Sequence, residues 1–202
     1  MIRPLRIADI SQVVSVHLEC FPGFFLSFLG PKFLNLYYSE LCSYPEKIAF
    51  VYLNSTDQVI GFSVGAVNPK KFYSILLRKK WINFLYYSLN ATLKKPSIIY
   101  RIAKAVLYPS QNPGGNEVAG IFSSGVIPKY RSTIGGSGGR LFKAFLNEAK
   151  TKGCKQVITI TNRDKNESVN LFLQKLGFKI ERQYTTSDGR RMNEYWIHFY
   201  KA

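Results

Sequence analysis

The sequence predicts an α/β fold of the α+β kind, a mixed sheet flanked by helices, and three stretches predict it. Val118 to Ile127 is uncharged and bounded by turn residues, so it reads as a buried strand. It leads through Val126-Ile-Pro-Lys-Tyr-Arg-Ser-Thr-Ile-Gly-Gly-Ser-Gly-Gly139 into a helix pattern, with Leu141, Phe142, Phe145, Leu146 and Ala149 at helical spacing. Lys150 and Lys152 fall in its last turn and Gly153 offers the stop. The motif then repeats: Lys155 to Thr161 reads as a strand and Asn162 to Asn166 as a turn. Val169, Phe172, Leu173 and Leu176 form one face of a helix that stops at Gly177-Phe178.

The turn between the first strand and helix has a chemistry of its own. Glycines at 135, 136, 138 and 139 free the backbone to take positive φ and to approach a ligand, so that successive N–H groups converge on an anion. The helix beyond adds the positive end of its dipole. Two better-known nucleotide motifs do not fit. A P-loop ends in Gly-Lys-Ser/Thr, but Gly139 is followed by Arg140-Leu141. The Rossmann fingerprint needs a third glycine three residues after Gly138 and an early place in a βαβ unit, and it has neither here.

Taken together, these segments resemble the GNAT superfamily of acyl-CoA-dependent N-acyltransferases, whose core runs strand, V-x-P-x-Y-R-turn-G-x-G, helix, strand, N-x-x-A-x-x-x-Y-x-x-x-G-F. Val126, Pro128, Tyr130, Arg131, Gly136 and Gly138 match the first part; Asn166, Val169 in the alanine place, Gly177 and Phe178 match the second. Ile2 to Arg6, then Ala8-Asp9 and the run Val13, Val14, Val16, His17 and Leu18, are similar to the family's first strand and helix. The resemblance spans nearly the whole chain outside residues 68–112. It implies a mostly antiparallel mixed sheet in one domain over 1–202, with acetyl-CoA as cosubstrate and no metal. The cofactor would lie in a splay between the strand ending at Val126-Ile127 and the strand Val157 to Thr161. Its pyrophosphate would rest on N–H groups of the stretch Arg131, Ser132, Thr133, Ile134, Gly135, Gly136, Ser137, Gly138 and Gly139, and a backbone N–H near Val126 would stabilise the oxyanion. Asn166 would touch the cofactor or cap its own helix.

Two departures stand out. The phosphate loop is about two residues longer than the family pattern, with Thr133 in the place of the usual Gln or Arg. The tyrosine that often protonates the departing thiolate falls at Leu173. The candidates for moving protons are therefore Tyr130, Glu117 and His17, since an ammonium must lose a proton before it attacks.

Length and charge bound the rest. The chain has 202 residues, 46% of them hydrophobic, which suits one domain with a sizeable core. Cys20, Cys42 and Cys154 are odd in number and lack CxxC spacing, as suits reduced thiols. No apolar stretch reaches the ~18–20 residues that cross a bilayer and no secretory segment opens the chain, so the expected location is cytoplasmic, at the inner face of the membrane if the surface is lipid-binding. Net charge is +16, and nine Lys and Arg lie between Asp57 and Glu117 with no acidic residue among them. Such basicity attracts anionic coenzyme A. It is also a nucleic-acid feature, but no zinc-finger, RRM or helix-turn-helix signature accompanies it, so no specific nucleic acid is expected.

The basic segment, about 68–112, also carries Phe72, Tyr73, Trp81, Phe84, Tyr86, Tyr87, Tyr100 and Tyr108. It separates the third strand, Val59 to Val67, from the fourth, and reads as two or three helices around Pro96. Three readings stay open: a lid with a solvated basic face, an acceptor cap, and a membrane contact through Trp81 to Tyr87. Phe21 to Gly30 would lie against the acceptor, and Phe33, Leu36 and Tyr37 would share one face of the helix from Lys32. These segments, with Asp188 to Tyr195, resemble GNAT proteins of bacterial surface-polysaccharide synthesis. That resemblance implies a small-molecule amine acceptor, an amino sugar linked to phosphate on a nucleotide or lipid carrier. A non-catalytic GNAT-fold module that binds coenzyme A or an anionic surface is the alternative.

Overall fold

The computed structural model of the protein describes residues 1–94, 114–131, 136–186 and 189–199, with backbone alone over 88–94. Its strands are β1 (Ile2–Pro4), β2 (Lys47–Leu53), β3 (Val59–Val67), β4 (Val118–Val126), β5 (Gln156–Asn162), β6 (Lys179–Thr185) and β7 (Arg191–His198). They form one seven-stranded sheet in the order β1-β2-β3-β4-β5-β7-β6. Only β4 and β5 run parallel; every other neighbouring pair is antiparallel. A parallel pair needs a crossover, and the helix Ser137–Thr151 supplies it.

The helices are α1 (Ile10–Cys20), α2 (Phe25–Leu29), α3 (Pro31–Ser43), α4 (Pro69–Lys94), α5 (Ser137–Thr151) and α6 (Glu167–Lys175). On one face of the sheet α1, α3 and α4 close a core around Val13, Leu34, Tyr38, Leu41, Phe62 and Phe72. On the other, α5 and α6 close a second core around Phe142, Phe145, Leu173, Phe178 and Tyr195. Being covered on both faces, β3 is buried at all nine positions and shows no alternation. Its Gly65 permits the close approach of β4, because a Cβ there would come within 1.8 Å of the Gly120 carbonyl oxygen.

The insertion begins with one 26-residue helix, α4, which ends just ahead of Pro96. Nothing between Pro69 and Lys94 breaks it, and Pro96 falls within 95–113, outside the described residues. Asn68 starts the helix: at φ 53° it turns the chain, its Oδ1 accepts the Lys71 N–H at 3.1 Å, and Pro69 takes the first helical position. Two expectations change. The buried face of α3 is Leu34, Tyr37, Tyr38 and Leu41, with Phe33 and Leu36 only half-buried beside it. Finally, Gly136 has φ −76°, and the positive-φ glycines do not include 136, 138 or 139. The left-handed glycines include the helix stops Gly153 and Gly177, as their places after α5 and α6 require.

Candidate functional site

The parallel pairing of β4 with β5 runs only from Val118↔Gln156 to Ile121↔Thr159. Beyond it β4 stays bonded to β3 through Val126, and β5 stays bonded to β7 through Asn162. The sheet therefore forks in its middle. One extra β4 residue, Phe122, lies at the fork, where Gly65 and Val64 face Ile121 and Ser123. A cleft of about 70 Å³ opens there, lined by Pro69 and Tyr73 of α4, by Ile121 and Phe122 of β4, and by Ile158 and Ile160 of β5.

Alternation in the ladder tells which main-chain groups face the gap. The Ile127 N–H donates to the Ile60 carbonyl at 2.9 Å, so the groups of Val126 and Ser124, one and three residues earlier, point the other way, into the fork. Ile127 is thereby corrected as a donor to a ligand, since its N–H belongs to β3. The Val126 carbonyl is also taken, by Arg131 Nε at 2.9 Å. Its N–H and that of Ser124 remain directed at the gap. Across the fork the Arg163 N–H donates to Arg191, which by the same alternation turns Ile160 toward the gap.

The open end of the fork meets the start of α5. The first intrahelical bond is from the Arg140 N–H to the Gly136 carbonyl at 3.0 Å, so the N–H groups of Ser137, Gly138 and Gly139 have no partner within the helix. A Cβ on Gly139 would meet nothing within 4 Å, and one on Gly138 only the Phe172 ring at 3.9 Å, although Ser137 and Gly139 are themselves buried. The Ser137 hydroxyl donates to the Tyr130 carbonyl at 3.2 Å and ties the helix to the end of the loop. Ser132, Thr133, Ile134 and Gly135 lie outside the described residues.

The predicted proton-handling residues separate. Tyr130 ends a 3-10 turn at the open end of β4, with Lys129 Nζ 5.0 Å from its ring centre. Glu117 precedes β4 at the closed end, ion-paired with Lys155. At roughly 3.3 Å per residue it lies about 13 Å below the fork, too far to act there. His17 is buried in α1, its Nδ1 2.6 Å from the Tyr38 hydroxyl, and burial lowers its pKa to about 4. Tyr38 in turn is hydrogen-bonded to Ser123, just past the fork. His17 Nε2 is buried with no partner.

Leu173 is 1% exposed within the α5–α6 core, so that position cannot present any group to the gap. Asn166 holds the N-cap place of α6 but makes no capping bond; its amide donates to the Asn162 carbonyl at 3.4 Å instead. Asn170, unmarked in the sequence reading, does more. Its amide reaches the Asn162 and Arg163 carbonyls at 3.2 Å each while its Oδ1 accepts from Thr161 at 2.7 Å, which anchors the free end of β5. Arg131 also hydrogen-bonds Cys20, whose thiol burial pushes up.

The overall fold is shared with solved N-acetyltransferases. No family model matches the sequence, and no curated protein matches it significantly. The chain is similar to Ard1 from Thermoplasma volcanium, with TM-score 0.62 and 17% identity over 100% of this chain and 98% of that one. It is similar to aminoglycoside 6'-acetyltransferase type Ii, with TM-score 0.62 and 13% identity over 98% and 96%. A third likeness is to the polyamine N-acetyltransferase of Drosophila melanogaster, with TM-score 0.59 and 15% identity over 98% and 99%. At these identities the likeness establishes the fold.

Proposed function

We propose that the protein is an N-acetyltransferase that transfers an acetyl group from acetyl-CoA to a primary amine. The fork carries this reading, because it pairs unused main-chain donors and acceptors along an open slot with a helix N-terminus at the slot's mouth. Residues and ligand fit each other: an extended amide-bearing arm can bond the edges of β4 and β5, and a diphosphate can take the Ser137, Gly138 and Gly139 N–H groups. The cosubstrate supplies an acetyl thioester. The chain's part is to hold it, to offer the Ser124 or Val126 N–H to the carbonyl oxygen as negative charge develops, and to keep water from the slot. His17, neutral at physiological pH, positions Tyr38 and through it Ser123 beside the fork; with its pKa near 4 and Nε2 unpartnered it does not keep the amine's proton, which leaves to water. Tyr130 is the nearest hydroxyl candidate at the open end for returning a proton to the thiolate.

The acceptor we propose is an amino sugar linked to phosphate, as the resemblance to surface-polysaccharide proteins suggests. Peripheral membrane contact is part of the proposal. On the distal half of α4, Trp81, Ile82, Leu85 and Tyr86 are 49–67% exposed on one side, with Arg78 and Lys79 exposed one turn earlier. An apolar stripe beside cations suits an anionic lipid surface. Among the described residues no helix is long and apolar enough to cross a membrane. A second reading, a non-catalytic binder of coenzyme A, is favoured by Leu173 alone. Thiol release from acetyl-CoA with a panel of nucleotide-linked amino sugars separates the two: acceptor-dependent release supports the enzyme, whereas tight coenzyme A binding with no release from any amine supports the binder.

A further inference from the structure

The face of β5, β7 and β6 opposite α5 and α6 carries a second, shallow concavity of about 310 Å³, separated from the fork by β5. Tyr195 and Ile197 point into the α5–α6 core, so alternation turns Glu194, Trp196 and His198 to the other face. Glu194 stands opposite Ile160 and Trp196 opposite Ile158, the two β5 residues that line the cleft at the fork. Gln156, Glu181, Arg182, Glu194, Trp196 and His198 line this hollow.

We infer that this hollow is the acceptor's seat, and that Glu194 and Trp196 recognise the ammonium group of the amine to be acetylated. The inference rests on the fork being the acetyl-CoA slot. Glu194 is a carboxylate only 8% exposed, held by Arg182 at 2.7 and 3.1 Å and by the Trp196 indole N–H at 2.9 Å. These bonds fix its plane and engage three of its roughly four acceptor positions, leaving Oε1 able to take one more donor. The same indole bond orients the Trp196 ring, and the His198 ring lies nearly parallel to it, 6.2 Å away at 15°. A cation is attracted both by a carboxylate and by the face of an indole. Two of only 12 acidic residues, Glu181 and Glu194, stand around one tryptophan against the single guanidinium of Arg182, which leaves one unbalanced carboxylate in a chain of charge +16. An ammonium gathered there is separated from the gap by β5, so the amine leaves the carboxylate and passes Ile160 before its nitrogen meets the thioester.

The chain has two tryptophans, Trp81 and Trp196, so Trp81→Phe leaves Trp196 as the sole indole reporter. With coenzyme A bound, titration with glucosamine and with putrescine should change Trp196 emission saturably, while N-acetylglucosamine, the same ring without the ammonium, should do so at least about tenfold more weakly. Glu194→Gln in that background should weaken both ammonium probes about tenfold or more and leave coenzyme A affinity within about twofold. In turnover it should raise the acceptor KM with little change in kcat. An equal response to charged and uncharged probes, no response to either ammonium, or unchanged affinity in Glu194→Gln overturns the inference. So does an emission that follows protein concentration instead of ligand, which would make this face a contact between copies. Failure of coenzyme A itself to bind sinks the reading of the fork instead, so the two failures are distinct.

Discussion

The two halves of the sheet are built differently. The strands β2 to β4 lie between helices on both faces, and β3 is buried from end to end; among the described residues β5, β7 and β6 have helices on one face only, and β6 is exposed at six of its seven positions. The first half is spent on stability, since no residue of β2, β3 or β4 is exposed. The second keeps a polar face, with Glu194, Arg182 and His198 where a sandwich would have aliphatic residues. The fork is the seam between them, where the pairing of neighbours stops because each half keeps to its own partners.

This contrast can be broken first by truncation. Phe62 is fully buried, 5.6 Å from the Tyr38 ring and 6.2 Å from that of His17. Phe62→Ala should cost about 3–5 kcal/mol in urea unfolding, whereas Ile180→Ala on β6, 39% exposed, should cost no more than about 0.5 kcal/mol. Equal losses would mean that the halves are packed alike.

The second test is pH. His17 stays neutral in the fold down to about pH 4, while an unfolded histidine protonates near 6.5. The unfolded state therefore binds the extra proton first, and stability falls as pH drops from about 6.5 toward 4, by about 3 kcal/mol in all. His17→Gln should flatten that stretch of the unfolding profile; an unchanged slope would mean that other groups carry it.

The third moves to the seam. Gly138→Asp puts a carboxylate at the first turn of α5, where it suits the helix dipole yet repels a diphosphate. Stability should hold or rise slightly while acetyl-CoA affinity falls about tenfold or more in calorimetry. Equal loss of both would point to misfolding of the turn instead.

Much of this frame was legible beforehand. Strand and helix periods located β3, β4, β5, α5 and α6, and Gly153 and Gly177 marked the stops because a helix end commonly takes the left-handed backbone that favours glycine. The length of α4 was harder to read because apolar residues surround it without a single stripe: its first half packs Phe72 and Leu76 against the sheet, and its second half exposes Trp81 and Tyr86. The site was half visible. Gly138 and Val126 sit in a motif contiguous in sequence, but the fork begins at Ile121 and Thr159, and only strand pairing can show where pairing ends. Glu194, Trp196 and Asn170 matter through neighbours on other elements, for which local sequence holds no signal.

The most direct measurement is a crystal structure with acetyl-CoA bound. The account predicts the pantetheine arm between Phe122–Val126 and Ile160–Asn162, with the diphosphate on the amides of Ser137 to Gly139. A cofactor bound elsewhere, or β4 and β5 paired through to Val126 with no slot between them, would contradict it.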